Sequence, residues 1–582
     1  MTIRTMLEAT VQNVPDAVAM RFRQEGAWTS RTYREFYARI RQAAEVVGQL
    51  GIIPGTDHVG LVLENGPQWM EIYAALAGAG VTVVPIDPKL RPQEIAFILG
   101  DAEAAALFTS ARHCACLEQI LPQLPRLQNV IFVNGAKAPV ASGSRGHPPS
   151  IPATNGFPAT DAACLPCVGR TCLDYETALG AAAAAAAAPG AWYERHHPDP
   201  GTVASIIYTS GTTGKPKGAM LTHANFCADI EGSFGIISDL RNDDSFLVVL
   251  PLFHAFSFTA NFLMPISRGC CMGFVESLRT VSEDLRTLQP SVLMGVPLLV
   301  EKIYDRVEAG IRASRFARLM LLIGLGRVVG AKVRKSLGGR LRYFLVGGAA
   351  CPVRVLKGFR RLGINIIEGY GLTETSPVVS ISRANDTRPG TIGYKLPNIE
   401  VRLAGLNEQG VGELQVRGPI VMKGYYRNAA ATAAAFDGPW LRTGDLASID
   451  ADGYITIRGR SKALIVNREG KNIYPEEVEQ CIARNPAVFD VVVVGYQEAD
   501  ETGEKVGAIV VPNLDKIKAQ HHGVEPPCGE IEALLRQVVH TQCRELADYK
   551  HPRKIEVRRE PLERTSTQKV RRVVYQGQLD TK

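Results

Sequence analysis

The chain has no apolar run long enough to cross a bilayer and shows no secretory leader at its start. No stretch of 18 or more uncharged apolar residues occurs among the 582 residues, whereas a membrane-spanning helix needs about 20. The first twenty residues alternate polar and apolar side chains, without the continuous apolar core of a signal peptide. We therefore expect a cytoplasmic protein, with any membrane contact being peripheral and on the inner face.

Cysteine and net charge are also low. The 12 cysteines lack the density of a disulfide scaffold, so we interpret most of them as packing residues. Cysteines and a histidine crowd near residues 113–116 and 164–172 without a second pair at zinc-finger spacing, which argues against a metal site there. A formal net charge of +7 suits anionic small molecules or a membrane surface better than a nucleic-acid duplex. We expect no nucleic-acid partner.

What is concentrated instead is glycine, threonine and lysine, in the turn Tyr-Thr-Ser-Gly-Thr-Thr-Gly-Lys-Pro-Lys-Gly at residues 208–218. The apolar residues 203–208 predict a strand before it, and the glycines allow the backbone N–H groups to point inward. The residues that can bind the phosphates of ATP are Thr209, Ser210, Gly211, Thr212, Thr213, Gly214, Lys215 and Lys217. Pro216 disfavours a helix at this point, and the spacing is not that of a Walker A loop, so we predict a flexible phosphate clamp.

Two further turns follow predicted strands, at residues 346–350 and 368–375. Strand ends of this kind face ligands in open α/β sheets. The backbone that can approach an adenine belongs to Gly347, Gly348, Ala349 and Gly369. Tyr370 can lie against the purine, and Thr373 can donate to the α-phosphate. The carboxylate of Glu374 is a hard ligand suited to Mg²⁺.

In this order the motifs resemble those of the adenylate-forming superfamily, which includes acyl-CoA synthetases, luciferases and the adenylation domains of peptide synthetases. The resemblance spans nearly the whole chain except residues 135–200. It implies that Asp445, at the end of Trp-Leu-Arg-Thr-Gly-Asp, and Arg460 contact the ribose. It also implies that His254 borders the carboxylate end of the acyl substrate.

The resemblance further implies a mobile C-terminal part. Lys462 matches the hinge of the family, Gly470 the loop glycine used in thioester formation, and Lys569 the catalytic lysine. The family more commonly has glycine where Gln568 stands, and a side chain at positive φ would cost about 1 kcal/mol or more. This departure concerns the geometry of the loop that carries Lys569.

The alternation of predicted strands and helices indicates an α/β fold. We predict a large N-terminal domain, residues 1–460, with stacked sheets flanked by helices and a β-rich subdomain. A small mobile α+β domain is predicted for residues 461–582. Proline, glycine, serine and alanine dominate residues 135–200, which predicts an exposed flexible insertion; its alanine run, residues 181–188, could be a short helix or a mobile tether.

Residues 311–343 combine an apolar centre with nine lysines and arginines. Two interpretations stay open for this segment. It could be a solvated helix face of the large domain, or an interfacial contact with anionic lipids.

The resemblance implies an ATP-dependent acyl-CoA synthetase, most like a long-chain fatty acid CoA ligase. A fatty acid would be activated to acyl-AMP with release of pyrophosphate, with Mg²⁺ as cofactor and CoA as acceptor. Alternatives are transfer to a carrier-protein phosphopantetheine, and an aryl or medium-chain acid as substrate. A non-catalytic acyl-adenylate-binding protein would not need both Glu374 and Lys569.

Overall fold

The computed structural model describes residues 1–133, 170–209, 215–277, 279–469, 471–498, 503–564 and 570–580. The predicted site residues outside these ranges are Ser210, Gly211, Thr212, Thr213, Gly214, Gly470 and Lys569. The chain forms two compact units. The larger comprises Met1–Glu400 and Arg417–Pro439, and the smaller comprises Val401–Val416 and Trp440–Lys582.

The strands of the described residues are β1 (Val18–Gln24), β2 (Ala27–Thr32), β3 (His58–Val62), β4 (Thr82–Pro85), β5 (Ala104–Ser110), β6 (Asn129–Val133), β7 (Thr171–Asp174), β8 (Val203–Thr209), β9 (Lys217–Thr222), β10 (Ser245–Val248), β11 (Cys271–Phe274), β12 (Val292–Gly295), β13 (Tyr343–Val346), β14 (Ile366–Gly371), β15 (Val378–Ile381), β16 (Tyr394–Lys395), β17 (Glu400–Ala404), β18 (Gly412–Arg417), β19 (Gly424–Tyr425), β20 (Phe436–Asp437), β21 (Trp440–Ile449), β22 (Ile455–Arg460), β23 (Ile465–Val466), β24 (Asn472–Ile473), β25 (Val488–Tyr496), β26 (Lys505–Pro512) and β27 (Lys554–Val557).

The α-helices of the described residues are α1 (Ile3–Asn13), α2 (Tyr33–Gln49), α3 (Pro67–Gly78), α4 (Pro92–Asp101), α5 (Cys114–Ile120), α6 (Tyr175–Ala187), α7 (Trp192–Arg195), α8 (His223–Phe234), α9 (Ala255–Phe258), α10 (Met264–Arg268), α11 (Val281–Leu288), α12 (Pro297–Ala313), α13 (Arg315–Leu322), α14 (Gly326–Ser336), α15 (Val353–Arg361), α16 (Ala429–Ala435), α17 (Pro475–Ile482), α18 (Leu514–Gln520) and α19 (Cys528–Cys543). None of these helices is both long and apolar enough to cross a membrane.

Two large sheets lie in the larger unit. Their strand orders are β16-β15-β14-β13-β12-β10-β11-β1-β2 and β19-β9-β8-β4-β3-β5-β6-β7. The central strands pair in parallel, as β12 does with β13 and β3 with β4, while antiparallel strands such as β2 and β9 extend the sheets. Helices such as α3 and α15 connect successive parallel strands, which is the βαβ pattern. The α/β prediction is confirmed.

Helix α3 lies in the interior of the larger unit. Its residues are apolar on nearly all sides, which is typical of a helix that is buried all round. The ring of Trp69 stacks on that of Tyr73 with 5.4 Å between centroids, and Tyr73 lies 4.4 Å from Phe258. The hydroxyl of Tyr73 and Ser205 Oγ are 2.6 Å apart. The helix therefore links β8 to the aromatic residues that follow His254.

Residues 170–200 of the predicted insertion form β7, α6 and α7, and the alanine run adopts the first of its two alternatives, a helix. Most of the alanine run lies in α6, where Ala182 and Ala186 are buried, and this helix packs against α2. The small alanine side chains permit this close approach. At the start of α6, Glu176 Oε1 accepts a hydrogen bond of 2.8 Å from Arg39 Nη2 on α2. The remaining residues of the predicted insertion up to 169 lie outside the described ranges.

Two cysteines are oxidised, which is compatible with the prediction that most cysteines are packing residues. Cys114, in α5, and Cys172, in β7, are disulfide-bonded. Cys172 is buried and pairs with Val130 of the neighbouring strand. Other described cysteines are free and mostly buried, such as Cys227 and Cys270.

The smaller unit contains β17, β18, β21 and β22 together with the C-terminal sheet β25-β26-β27. Its division from the rest of the chain does not follow the predicted boundary between residues 460 and 461. The start of α17 lies close to β22: a Cβ atom built on Gly459 would lie 2.6 Å from Glu476 Oε2. Asn407 Nδ2 donates to Tyr474 Oη at 3.4 Å. The β-rich segments therefore pack with residues that follow the predicted hinge.

Candidate active site

The predicted phosphate turn closes a β-hairpin. Strands β8 and β9 are antiparallel, with Tyr208 opposite Gly218 and Thr209 opposite Lys217. Thr209 Oγ1 donates to the carbonyl oxygen of Lys217 at 3.4 Å. Lys215, just before β9, is exposed. Both ends of the turn are therefore fixed by a sheet.

Thr373 and Glu374 lie on a short 3-10 turn, Thr373–Thr375, after β14. This turn is reached through Gly371, where a Cβ atom would overlap the carbonyl oxygen of Pro377, so only glycine fits. Leu372 N donates to that same carbonyl oxygen at 2.9 Å. The geometry explains why glycine stands between the tyrosine and the threonine of this motif.

Tyr425 holds the Glu374 carboxylate. Its hydroxyl donates to Glu374 Oε1 at 2.8 Å, and Met422 N donates to the Glu374 carbonyl oxygen at 2.9 Å. Burial, followed by the nearby Glu374 charge, raises the pKa of Tyr425, so its hydroxyl remains a donor. Tyr425 pairs with Ala219 of β9, and Lys217 Nζ lies 5.4 Å from the tyrosine ring centroid. The hairpin and the carboxylate are thus joined through one residue that the sequence analysis missed.

Two buried polar residues of α8 support the segments around this site. Asp229 Oδ2 accepts from Val378 N at 2.8 Å, just beyond the Glu374 turn. Burial raises the pKa of Asp229 well above its usual range. Asn225 Nδ2 donates to the carbonyl oxygens of Pro419 and Val421, at 2.7 and 3.0 Å. One helix therefore fixes both the chain after Glu374 and the chain before Tyr425.

The predicted adenine residues lie at the ends of two neighbouring strands. β13 and β14 pair in parallel, and the position of a Cβ atom on Gly347 is 3.4 Å from the carbonyl oxygen of Gly369. Gly348 has a φ of +86°, which glycine adopts without strain. Ala349 is exposed and Tyr370 is half-buried. The structure brings these predicted residues to one edge of the sheet.

His254 immediately precedes α9 and is half-buried. Its ring lies 4.3 Å from that of Phe253. Along α9, Phe256 approaches the adenine turn, with its Cζ atom 3.1 Å from the Cβ position of Gly347, and Phe258 joins the buried aromatic residues. The segment therefore connects the predicted nucleotide residues with the aromatic interior.

In the smaller unit, the two residues predicted to contact ribose form an ion pair. Arg460 Nε and Asp445 Oδ1 are 2.7 Å apart, and the residues lie opposite each other on β22 and β21. Thr443 fixes the turn before Asp445 by accepting from Asp445 N at 3.1 Å and donating to Leu414 O at 2.6 Å. Lys462 is exposed on the turn Ser461–Ala463 that follows β22.

Gly470 and residues 565–569 lie outside the described ranges, but the segments that flank them are described. Strands β23 and β24 flank Gly470, and Asn467 Oδ1 accepts from Lys471 N at 2.8 Å. Arg564 and Val570 form an antiparallel bridge on either side of the segment that contains Lys569. The roles given to Gly470, Lys569 and Lys462 remain predictions.

Comparison with known proteins decides the family. Residues 7–426 match the family model described as "AMP-binding enzyme", and residues 477–569 match "AMP-binding enzyme C-terminal domain". The chain belongs to the AMP-binding enzymes. This AMP-binding enzyme is 30% identical over 508 residues to "Long-chain-fatty-acid--CoA ligase FadD15" of Mycobacterium tuberculosis, with 83% of this chain and 78% of the relative covered. It is 29% identical over 539 residues to human "Long-chain-fatty-acid--CoA ligase 1", with 86% and 72% covered.

Solved structures have the same fold. The anthranilate CoA ligase AuaEII matches with a TM-score of 0.73 and 22% identity, covering 99% of this chain and 96% of the other. The o-succinylbenzoate CoA synthetase MenE of Bacillus subtilis matches with a TM-score of 0.72 and 23% identity, covering 97% and 96%. The predicted superfamily is confirmed: the chain is an adenylate-forming enzyme, most similar to acyl-CoA synthetases, of the acid-thiol ligase type that uses ATP and CoA.

A cation site in this AMP-binding enzyme would need the substrate to complete it. Across the described ranges, no group of three or more histidine, cysteine, aspartate or glutamate side chains could hold a metal by itself. Glu374 offers one carboxylate, of which one oxygen accepts from Tyr425. Mg²⁺ commonly binds one or two carboxylates together with substrate phosphates. The donor set therefore fits a Mg²⁺ ion that arrives with ATP.

Proposed function

We propose that this enzyme activates a long-chain fatty acid with ATP and transfers the acyl group to CoA. The observation that carries the proposal is the Glu374 carboxylate, held by Tyr425 beside the base of the phosphate hairpin. The fatty acid is inferred from relatives that are about 30% identical and named as long-chain ligases.

In the first step, a carboxylate oxygen of the acid attacks the α-phosphorus of ATP. The bond from this phosphorus to the bridging oxygen breaks, and pyrophosphate leaves with the electron pair. Residues of the hairpin would bind the outer phosphates, and Thr373 would donate to the α-phosphate. The ammonium of Lys569 would offset the charge that develops there. Mg²⁺ bound at Glu374 would supply further charge neutralisation.

In the second step, the thiolate of CoA attacks the acyl carbon and AMP leaves, which gives the thioester. Lys569 and Gly470 lie 99 residues apart in sequence, on separate loops. We infer that the C-terminal residues turn about Lys462, so that Lys569 serves the first step and Gly470 the second. The ion pair of Asp445 and Arg460 supports a shared contact of both residues with the ribose.

The two steps can be separated by single-turnover assays. Lys569→Ala should lose acyl-adenylate formation by orders of magnitude and retain CoA transfer from presynthesised acyl-adenylate. Lys462→Pro fixes φ at the hinge and should retain acyl-adenylate formation while impairing transfer to CoA. Equal losses in both steps for both variants, with the fold intact by circular dichroism, would contradict the two-orientation mechanism.

The substrate is tested by pyrophosphate release from acetate, octanoate, palmitate, benzoate and anthranilate, with and without CoA or a phosphopantetheinylated carrier protein. Each buried methylene contributes about 0.8 kcal/mol, so kcat/KM should rise steeply with chain length if the acyl chain is buried in the enzyme. The proposal fails if acetate or an aromatic acid gives the highest kcat/KM. Faster transfer to the carrier protein than to CoA would refute CoA as the acceptor.

A further inference from the structure

Helix α13 has apolar side chains on two opposite faces. Its inward residues pack against the core of the larger unit and are Ala317, Met320 and Leu321. Its outward apolar residues are Phe316, Leu319 and Leu322, which are 62%, 51% and 84% exposed, and Ile323, directly after the helix, is 55% exposed. A helix at the surface of a globular protein normally has polar residues on its outer face. The outer face of α13 is therefore exceptional in exposing large apolar side chains.

The exposed apolar area continues onto the start of α14. Leu325 and Val328 are 48% and 49% exposed. The turn between the helices is fixed by Gly324, which has a φ of +81°, and by a hydrogen bond of 2.7 Å from Leu325 N to Met320 O. We call these exposed side chains the apolar patch; they are Phe316, Leu319, Leu322, Ile323, Leu325 and Val328. Contiguous exposed apolar groups of this kind mark interaction sites.

The residues around the patch carry positive charge alone. No aspartate or glutamate occurs between Glu308 and Glu368, a stretch that contains thirteen lysines and arginines. On the helices of the patch, Arg315, Arg318 and Arg327 are exposed. Arg312 is paired with Glu308, whereas none of the ion pairs found among the described residues involves those three arginines. Their charge is thus available to an anionic partner.

The packing of α14 adds the basic end of α15 to this surface. Gly326 and Gly330 of α14 lie so close to the turn after α15 that a Cβ atom on either would overlap a backbone carbonyl oxygen there. The Arg327 side chain lies against the backbone of Gly363, with its Cγ 3.0 Å from the Cβ position. Arg360 and Arg361, at the end of α15, are exposed. The apolar patch is therefore bordered by cations from two helices.

We propose that this surface docks onto the face of a bilayer that contains anionic lipids. The apolar side chains would enter the headgroup region while the arginines bind lipid phosphates, which is how interfacial helices bind. A symmetric contact between two copies would place one surface of like charge against another and is disfavoured. Charge complementarity thus favours the anionic bilayer, which is the second of the two interpretations that the sequence left open.

The test measures binding of the full chain to vesicles of phosphatidylcholine, with and without one third phosphatidylglycerol, by flotation. We expect binding to the anionic vesicles that weakens as salt rises. Each arginine near such a surface contributes about fivefold to partitioning, so Arg315→Gln/Arg318→Gln/Arg327→Gln should bind about a hundredfold more weakly. Leu322→Ala/Ile323→Ala should also bind more weakly, because apolar insertion is lost.

The matched control is Arg126→Gln/Arg195→Gln/Arg286→Gln, which removes the same charge from exposed positions elsewhere. It should change partitioning less than about threefold. Equal loss in both triple variants would show attraction by net charge alone and overturn the proposal. Absence of binding to anionic vesicles would also overturn it, as would a dimer in solution that the patch variants dissociate. Circular dichroism and activity on a short soluble acid should stay unchanged in every variant.

Discussion

Replacing Tyr425 by phenylalanine tests how the Glu374 carboxylate is positioned. The change removes only the hydroxyl that donates to Glu374 Oε1 at 2.8 Å and keeps the ring beside Lys217 Nζ. A hydrogen bond to a charged group contributes about 1.5–3 kcal/mol, which corresponds to roughly 10- to 150-fold. Loss of a residue that orients a metal ligand typically costs about 10–100-fold in metal affinity. We therefore expect at least a tenfold rise in the Mg²⁺ concentration for half-maximal pyrophosphate release.

The kinetic result needs a direct binding measurement beside it. Mn²⁺ binding in the presence of a non-hydrolysable ATP analogue, followed by electron paramagnetic resonance, should weaken by a similar factor. At saturating Mg²⁺ the loss of kcat should be smaller, because added metal compensates for weaker binding. Tyr426→Phe is the matched control, because it removes the neighbouring hydroxyl from a ring that contacts His58.

A double-mutant cycle identifies the partner. Once Glu374→Gln has removed the carboxylate, adding Tyr425→Phe should have little further effect on metal binding. Unchanged Mg²⁺ dependence and unchanged Mn²⁺ affinity in Tyr425→Phe would refute the positioning role. So would an equal, additive effect of Tyr425→Phe in the Glu374→Gln background.

Three further predictions concern stability and use urea unfolding. Gly330→Ala should destabilise the larger unit by about 2–3 kcal/mol because its Cβ would overlap a backbone carbonyl, whereas Gly310→Ala, at a position with open space, should stabilise it by about 0.5–1 kcal/mol. If Gly330→Ala left the free energy of unfolding unchanged, the packing of α14 would be contradicted. Ala182→Asp should cost about 3 kcal/mol by burying a charge in α6, and Ala184→Asp, at an exposed position, about 1 kcal/mol or less; equal effects would mean that α6 is not packed. Burial raises the pKa of Glu368 to about 8, whereas the ordinary carboxyl value is 4.5, so the folded state binds a proton that the unfolded state releases, and the free energy of unfolding should fall as pH rises from about 5 to 8. Glu368→Gln should remove this pH dependence of the urea midpoint, and an unchanged pH dependence would disprove the assignment.

Local apolar patterns predicted many elements closely. The strand predicted for residues 203–208 is β8, and the turn predicted at residues 346–350 begins at the end of β13. β9 was missed, because Pro216 and Gly218 flank Lys217 and indicate a loop on their own. Its strand conformation depends on pairing with β8 on one side and β19 on the other. Pairing with a distant segment leaves no period in the local sequence.

The candidate site likewise contains residues that local sequence predicts and residues that only the fold reveals. Glu374 could be predicted because its neighbours form a compact motif. Its partner Tyr425 lies 51 residues further on, and Asp229 lies 149 residues before the amide that it binds. The sequence alone does not distinguish a buried aspartate on a helix from a solvated one, so burial can be seen only in the fold. The alanine run shows the reverse case: without an amphipathic face it left a short helix and a mobile tether open, whereas α6 packs against α2.

The contact of β22 with α17 has a consequence for conformational equilibrium. Gly459 leaves room for Glu476, and Asn407 binds Tyr474 across the predicted hinge at Lys462. If the C-terminal residues turn about that hinge, this contact exists in one orientation and must open in the other. A side chain at residue 459 would then act as a wedge that shifts the population between two catalytic states without touching a substrate.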